Sequence, residues 1–247
     1  MAEYLMRRNV VLEGLRGSRR PLRTLWLQEG LDRKTAVPLE QAARQRRIPI
    51  KTAAKAKLTQ FTGDASHQGV VLEVGPYEYA EVHEMLALAE ERGERPFLLL
   101  LDLLHGPQNI GQLLRTAEIV GVHGVILQDR RAPDITNAVV QFAAGATEHL
   151  LIAQVTNLVQ TMKQLQADGV WLVGMDLEAG ALPLPQVDLN MSIGIVVGHE
   201  GQGMRRLVRE TCDIRLILPQ KGRVESLNAA VAGSILLYQA WQARHFQ

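Results

Sequence analysis

Disulfides, membrane spans, metal-ligand spacings and repeats are all missing from this chain of 247 residues. Its single cysteine, Cys212, cannot close an internal disulfide, which fits a reducing compartment. The most apolar run, residues 97–104, is interrupted by Asp102 and is far too short to cross a bilayer, so no membrane span is expected. The start, Met1-Ala2-Glu3-Tyr4-Leu5-Met6-Arg7-Arg8, lacks the uninterrupted apolar stretch of a secretory signal, and a cytoplasmic location is expected. The seven histidines show no metal-ligand spacing. His67, His105, His123, His149 and His199 are expected in loops or at the surface, and no metal is expected. Internal repeats and low-complexity segments are absent.

A net charge of +1 hides an asymmetry. Residues 1–75 carry 14 Lys/Arg against 7 Asp/Glu, whereas residues 76–247 carry 13 against 19. A basic front end that neutralises phosphates beside an acidic remainder is the pattern of a nucleic-acid enzyme with a separate gripping domain. A solvated helix surface accounts equally well for runs such as Arg44-Gln45-Arg46-Arg47.

Periodicity predicts a small α/β unit at the front, with helices at 9–16, 37–47 and 54–60 and strands at 22–27, 48–50 and 69–74. Gly75-Pro76 punctuates the chain, and the acidic stretch 78–94 reads as a short helix with linker. The expected division is therefore 1–75, a linker at 76–95, and 96–247. Beyond the linker, strands at 97–104, 123–128, 149–154, 170–176, 192–197 and 214–218 alternate with helices, which implies an α/β fold with a mainly parallel, doubly wound sheet. The final helix, 227–243, is apolar almost all round and is expected to pack between layers or against another subunit.

Three polar clusters follow three of these strands, where ligands of open α/β sheets bind. The first is His105-Gly106-Pro107-Gln108-Asn109 with Arg115 in the helix that follows. The second is Gly198-His199-Glu200-Gly201-Gln202-Gly203-Met204. The third runs from Leu218-Pro219-Gln220 to Ser226-Leu227-Asn228. Each has a plain structural reading too. The glycine run is a turn, Ser226 is a helix N-cap, and Arg115 pairs with Glu118 at i+3. The glycines are neither a Walker loop nor a dinucleotide fingerprint, since no Gly-Lys-Ser/Thr follows and they do not sit after the first strand.

Together the three clusters closely resemble the motifs of the SpoU-type RNA 2′-O-ribose methyltransferases, the TrmH family within the SPOUT superfamily. The likeness covers nearly the whole chain. It implies a C-terminal α/β domain tied in a deep trefoil knot, preceded by a small L30e-like α/β domain that binds RNA; His67-Gln68-Gly69 is the sharper part of the front-end match. It implies S-adenosyl-L-methionine as cofactor, held by Gly198, Leu218 and Leu227 with Val197, Pro219, Gln220, Gly174 and Met175 around them. It implies catalytic roles for Asn109, Arg115, Glu200, Ser226 and Asn228, and a homodimer formed through the knotted domain. The nearest group is the bacterial 23S ribosomal RNA guanosine-2′-O-methyltransferases, acting on 23S ribosomal RNA or a pre-ribosomal particle. A transfer RNA substrate and a non-catalytic RNA-binding assembly factor are the alternatives. Two departures stand out: Gly106 replaces the usual acid of the first motif, and Phe142-Ala143-Ala144-Gly145-Ala146 replaces the usual Ser-Gly-Ala.

Overall fold

The computed structural model describes residues 3–129, 135–176 and 180–246. The chain packs as two compact units, Met1–Glu78 with Ile135–His149, and Tyr79–Asp134 with Leu150–Gln247.

The first unit is built on a four-stranded sheet in the order β1-β4-β2-β3, formed by β1 (Glu3–Met6), β2 (Leu22–Gln28), β3 (Ile50–Ala53) and β4 (Val70–Val74). Strand β4 runs antiparallel to both β1 and β2, while β2 and β3 are parallel. Helices α1 (Arg8–Arg16), α2 (Arg33–Gln45) and α3 (Lys55–Thr62) connect the strands. The expected helix at 37–47 starts a turn earlier, because Asp32 caps it by accepting from the Thr35 N–H at 2.9 Å.

Residues Ile135–His149 were expected within the 96–247 domain, yet they pack with this first unit. Polar contacts explain the attachment. The fully buried Arg20 side chain donates to Glu148 at 3.1 Å and also reaches Glu3 and the Ile135 carbonyl. Burial pushes the Glu148 carboxyl above its usual range, opposed by the Arg20 guanidinium. Gly17 is a requirement of this packing, since a Cβ there would stand 2.3 Å from the Glu148 carbonyl oxygen.

The second unit holds a seven-stranded parallel sheet in the order β7-β6-β5-β10-β8-β11-β9. Its strands are β5 (Phe97–Leu101), β6 (Gly124–Gln128), β7 (Ile152–Val155), β8 (Trp171–Met175), β9 (Leu182–Pro183), β10 (Ile193–Val197) and β11 (Ile214–Ile217). The runs Phe97–Leu101 and Ile193–Val197 are buried at every position, as expected of parallel strands covered on both faces. Helices α4 (Val82–Arg92), α5 (Pro107–Ile119), α7 (Leu158–Ala167), α8 (Arg206–Thr211) and α9 (Ala229–Ala243) belong to this unit; α6 (Asn137–Phe142) belongs to the first. Arg244, just past α9, donates to the carbonyls of Arg95, Pro96 and Met191 at 2.9, 2.9 and 2.6 Å. It thereby ties the end of α9 to the approaches of β5 and β10, and burial lowers its pKa to about 10.

Two of the histidines expected in loops or at the surface are buried: His67 is 0% exposed and His123 is 1% exposed. In each, Nδ1 accepts a backbone N–H, from Gly69 and from Phe97 respectively, both at 3.0 Å. Such a ring closes a turn or strand end from inside, which sequence position alone does not reveal.

Candidate active site

Three connections leave the same edge of the second sheet, at the carboxyl ends of β5, β10 and β11. The first enters α5 through Gly106, whose φ of +83° suits glycine, with Pro107 as the first helical residue. Glycine in place of an acid thus fits the turn that the chain makes here. The second connection folds back on itself, with paired backbone hydrogen bonds between His199 and Gly203 at 3.0 and 2.9 Å. Gly198 begins that fold with no room for a side chain, since a Cβ would lie 2.4 Å from the Gly203 carbonyl carbon and the Met204 nitrogen. The third connection ends at Asn228, the N-cap of α9, whose Oδ1 accepts from Ala230 and Val231 at 2.9 and 3.2 Å.

One residue from each connection meets the other two. Glu200 accepts from the Asn109 amide at 2.7 Å through one oxygen and from the Asn228 amide at 2.7 Å through the other. Asn228 also donates to Asn109 Oδ1 at 3.0 Å, closing a ring of three side chains. Each amide here must point one way only, because a carboxylate accepts and cannot donate. A fixed anionic group is therefore presented at the sheet edge.

Glu200 also borders a cleft of about 250 Å³. Its walls include Met175, Val197, Gly198, Leu218, Gln220, Ser226 and Leu227. Most of the residues named from sequence as a cofactor wall are thus gathered in one place. Pro219 and Gly174 do not line the cleft. The side of Gly174 that would carry a Cβ faces Met204 and Cys212, at 2.7 Å from each, so glycine lets that wall close. Burial raises the Cys212 thiol to about 12, which makes it an inert part of this packing. Ser226 borders the cleft, and the N-cap is Asn228 instead.

Arg115 stands apart. It is exposed on α5, its side chain makes no hydrogen bond or ion pair among the described residues, and it does not line the cleft. The i+3 pair with Glu118 is not formed.

Sequence reasoning missed two features of this edge. Asp102, 0% exposed, accepts from both the backbone N–H and the Nε of Arg205, each at 2.7 Å, and so anchors the far end of the 198–204 fold to the end of β5. An acid interrupting an apolar strand was the available signal. His199 is the other feature: it lines the cleft half-buried, its ring edge-on to His105 at 5.3 Å, and its Nδ1 is buried without a partner among the described residues. Among the described residues no cluster of three or more His, Cys, Asp or Glu could hold a metal ion, and no helix is long and apolar enough to cross a membrane.

Known proteins resemble this chain in sequence and in fold. The model of the SpoU rRNA methylase family matches residues 96–238, and one described as RNA 2′-O ribose methyltransferase substrate binding matches residues 8–80. YacO of Bacillus subtilis, grouped with the TrmH family tRNA/rRNA methyltransferases, is 40% identical over 243 residues, covering 98% of this chain and 96% of the relative. A Staphylococcus aureus protein of the same grouping is 38% identical over 225 residues, covering 91% and 90%. Among solved structures, the SpoU methyltransferase AviRb from Streptomyces viridochromogenes, in complex with AdoMet, matches with a TM-score of 0.80 at 23% identity, covering 100% of this chain and 92% of its own. An AdoMet-bound rRNA methyltransferase from Sinorhizobium meliloti matches with a TM-score of 0.78 at 21% identity, covering 98% and 87%. The structural likenesses concern the fold, and the sequence matches decide the kinship. This chain belongs to the SpoU/TrmH family of RNA methyltransferases.

Proposed function

We propose that the chain transfers a methyl group from S-adenosyl-L-methionine to a ribose 2′-hydroxyl of RNA, with a guanosine of 23S ribosomal RNA as target. The observation that carries this reading is the Asn109–Glu200–Asn228 ring at the border of the Gly198–Leu218–Leu227 cleft. A neutral adenosine needs apolar walls and close main-chain approach. Val197, Gly198, Leu218 and Leu227 supply both, with Met175 and Gln220 beside them. Pro219 shapes the backbone next to Leu218, and Gly174 allows the wall behind to close. The residues present therefore fit the cofactor, and no metal is called for.

When bound, the cofactor supplies an electrophilic methyl on a sulfonium. The chain must then hold one hydroxyl in line and manage the proton that leaves it. Glu200, locked by two amides, orients the ribose, and Ser226 adds a hydroxyl to the same wall. Arg115, with a planar fork of hydrogen-bond donors, is suited to clamp the target ribose and its neighbouring phosphate, lowering the proton affinity of the hydroxyl.

Arg115 lies outside its own cleft, and this favours a composite site. Val231, Ile235 and Tyr238 form an exposed stripe along α9, and Ile119 of α5 is 55% exposed. A second copy packed on α5 and α9 would cover these side chains and carry Arg115 to a neighbouring cleft. The reading includes the family's trefoil knot around the 198–204 and 218–228 connections, a cytoplasmic location, and RNA held by the basic front unit.

Calorimetry with S-adenosylhomocysteine and with NAD, followed by transfer of labelled methyl into fractionated RNA, tests the proposal. Binding of S-adenosylhomocysteine alone, with label in 23S RNA, is expected. Label confined to transfer RNA would move the target, and binding of neither ligand would leave a non-catalytic assembly factor. Arg115→Ala should bind cofactor as wild type does and lose transfer.

A further inference from the structure

We infer that a second cleft, in the first unit, receives one unpaired nucleotide of the substrate RNA. This rests on RNA being the substrate. The cleft measures about 550 Å³, within the range of small-ligand sites. RNA is read mainly through unpaired bases, and the surrounding segment is the one matched by the substrate-binding family model.

Its lining is mixed, with two cations and two amides suited to a nucleotide beside the Asp32 carboxylate and the apolar Leu31 and Ala65. Arg8 opens α1 and Lys55 opens α3, and both line the cleft. Lys55 is exposed and has no carboxylate partner among the described residues. Arg8 reaches Asp32 at 3.5 Å with both side chains about half exposed, a weak pair that leaves guanidinium donors for a phosphate. Gln28 and Gln68 add amides, which can both donate to and accept from a base edge.

The cleft is also shaped in advance. His67 is fully buried beneath it, with Nδ1 accepting from the Gly69 N–H at 3.0 Å and Nε2 hydrogen-bonded to Thr59 at 3.3 Å. That grip holds Gln68 at a φ of +55° and Gly69 at +75°. In this conformation Gln68 accepts from the Arg8 backbone N–H at 3.1 Å, joining the two sides of the cleft. The hydrogen bonds of the floor are satisfied internally, while Lys55 and the Gln28 amide have no side-chain partner among the described residues and Arg8 has a weak one. Such an arrangement serves a ligand better than it serves the fold.

The test measures equilibrium binding of the full chain to large-subunit ribosomal RNA across about 50 to 200 mM salt. Lys55→Ala and Gln28→Ala are compared with Arg44→Gln, an exposed arginine outside the cleft. S-adenosylhomocysteine binding and circular dichroism are followed in parallel to confirm folding. Lys55→Ala should reduce the salt slope by about one, and Gln28→Ala should weaken binding roughly five- to a hundredfold with no change in slope. Arg44→Gln should match wild type. Wild-type affinity and slope in both cleft variants would overturn the proposal, as would equal losses in all three. If wild-type chain binds RNA but transfers no methyl, the proposed reaction fails while the binding comparison still decides the cleft. If it binds no RNA, both fail.

Discussion

Glu200 accepts two amide hydrogen bonds that only a carboxylate can accept together in this geometry. Glu200→Gln keeps the shape but sets an NH2 against an NH2, forfeiting one charge-assisted hydrogen bond at a solvent-exposed position. Methyl transfer should fall at least tenfold while S-adenosylhomocysteine affinity changes less, as read by kinetics and calorimetry. His67 and His123 carry a second prediction. Burial lowers both pKa values below 6.5, with Lys55 adding to the effect at His67 and Glu94 opposing it at His123. Their neutral forms are favoured by the fold, so this stability is present above pH 6.5 and is lost as pH falls from 6.5 towards the lowered folded values. The unfolding midpoint should drop between pH 7.5 and 5.5, and the drop should shrink in a His67→Gln, His123→Gln double variant. An equal drop in that variant would contradict the assignment. The meeting of Asn109, Glu200 and Asn228 was legible in sequence because each belongs to a polar cluster that follows a strand, while their catalytic roles remain a proposal. Asp102 and His123 were not legible, because their partners lie 103 and 26 residues away; the Gly69 partner of His67 is local, and it is the burial of that ring that only tertiary packing sets.

At the scale of elements, apolar runs bounded by glycine and proline located most strands and helices to within a few residues. Buried parallel strands such as Phe97–Leu101 announce themselves as continuous apolar runs. Strand β1 was not expected from sequence, and β9, with two residues, has no alternation to read. Helix α2 was expected to start at Val37, whereas the Asp32 cap sets its start at Arg33 and leaves Pro38 inside the helix. Ser226 was read as the cap of α9, whereas the hydrogen bonds place Asn228 there. The connection after β10 depends on backbone contact more than on any side chain. Gly198→Ala forces a Cβ to within 2.4 Å of the Gly203–Met204 peptide, so the fold-back must open. Calorimetry should show S-adenosylhomocysteine binding weakened at least tenfold with the secondary structure retained. Unchanged affinity would mean that the cleft does not hold the cofactor.

At the scale of the molecule, the charge asymmetry and the Gly75-Pro76 break pointed to two parts, but the affiliation of residues 135–149 did not show in sequence. It depends on Arg20 finding Glu148, 128 residues away, and no local pattern records such a pair. The exposed apolar stripe on α9 makes a prediction at this scale: Ile235→Glu with Tyr238→Glu should convert a dimer into monomers at micromolar concentration and abolish transfer, with cofactor affinity reduced less. Sedimentation velocity reads the first effect, and a wild-type monomer would refute the composite site. The central claim is that three strand ends converge to methylate a ribose. Its most direct measurement is alkaline hydrolysis mapping of RNA from a strain lacking the protein, after incubation with the purified chain and S-adenosyl-L-methionine. The account predicts one new alkali-resistant linkage, at a guanosine of 23S RNA, missing with Arg115→Ala. Methyl incorporation that leaves every linkage alkali-labile would place the group on a base and contradict the account.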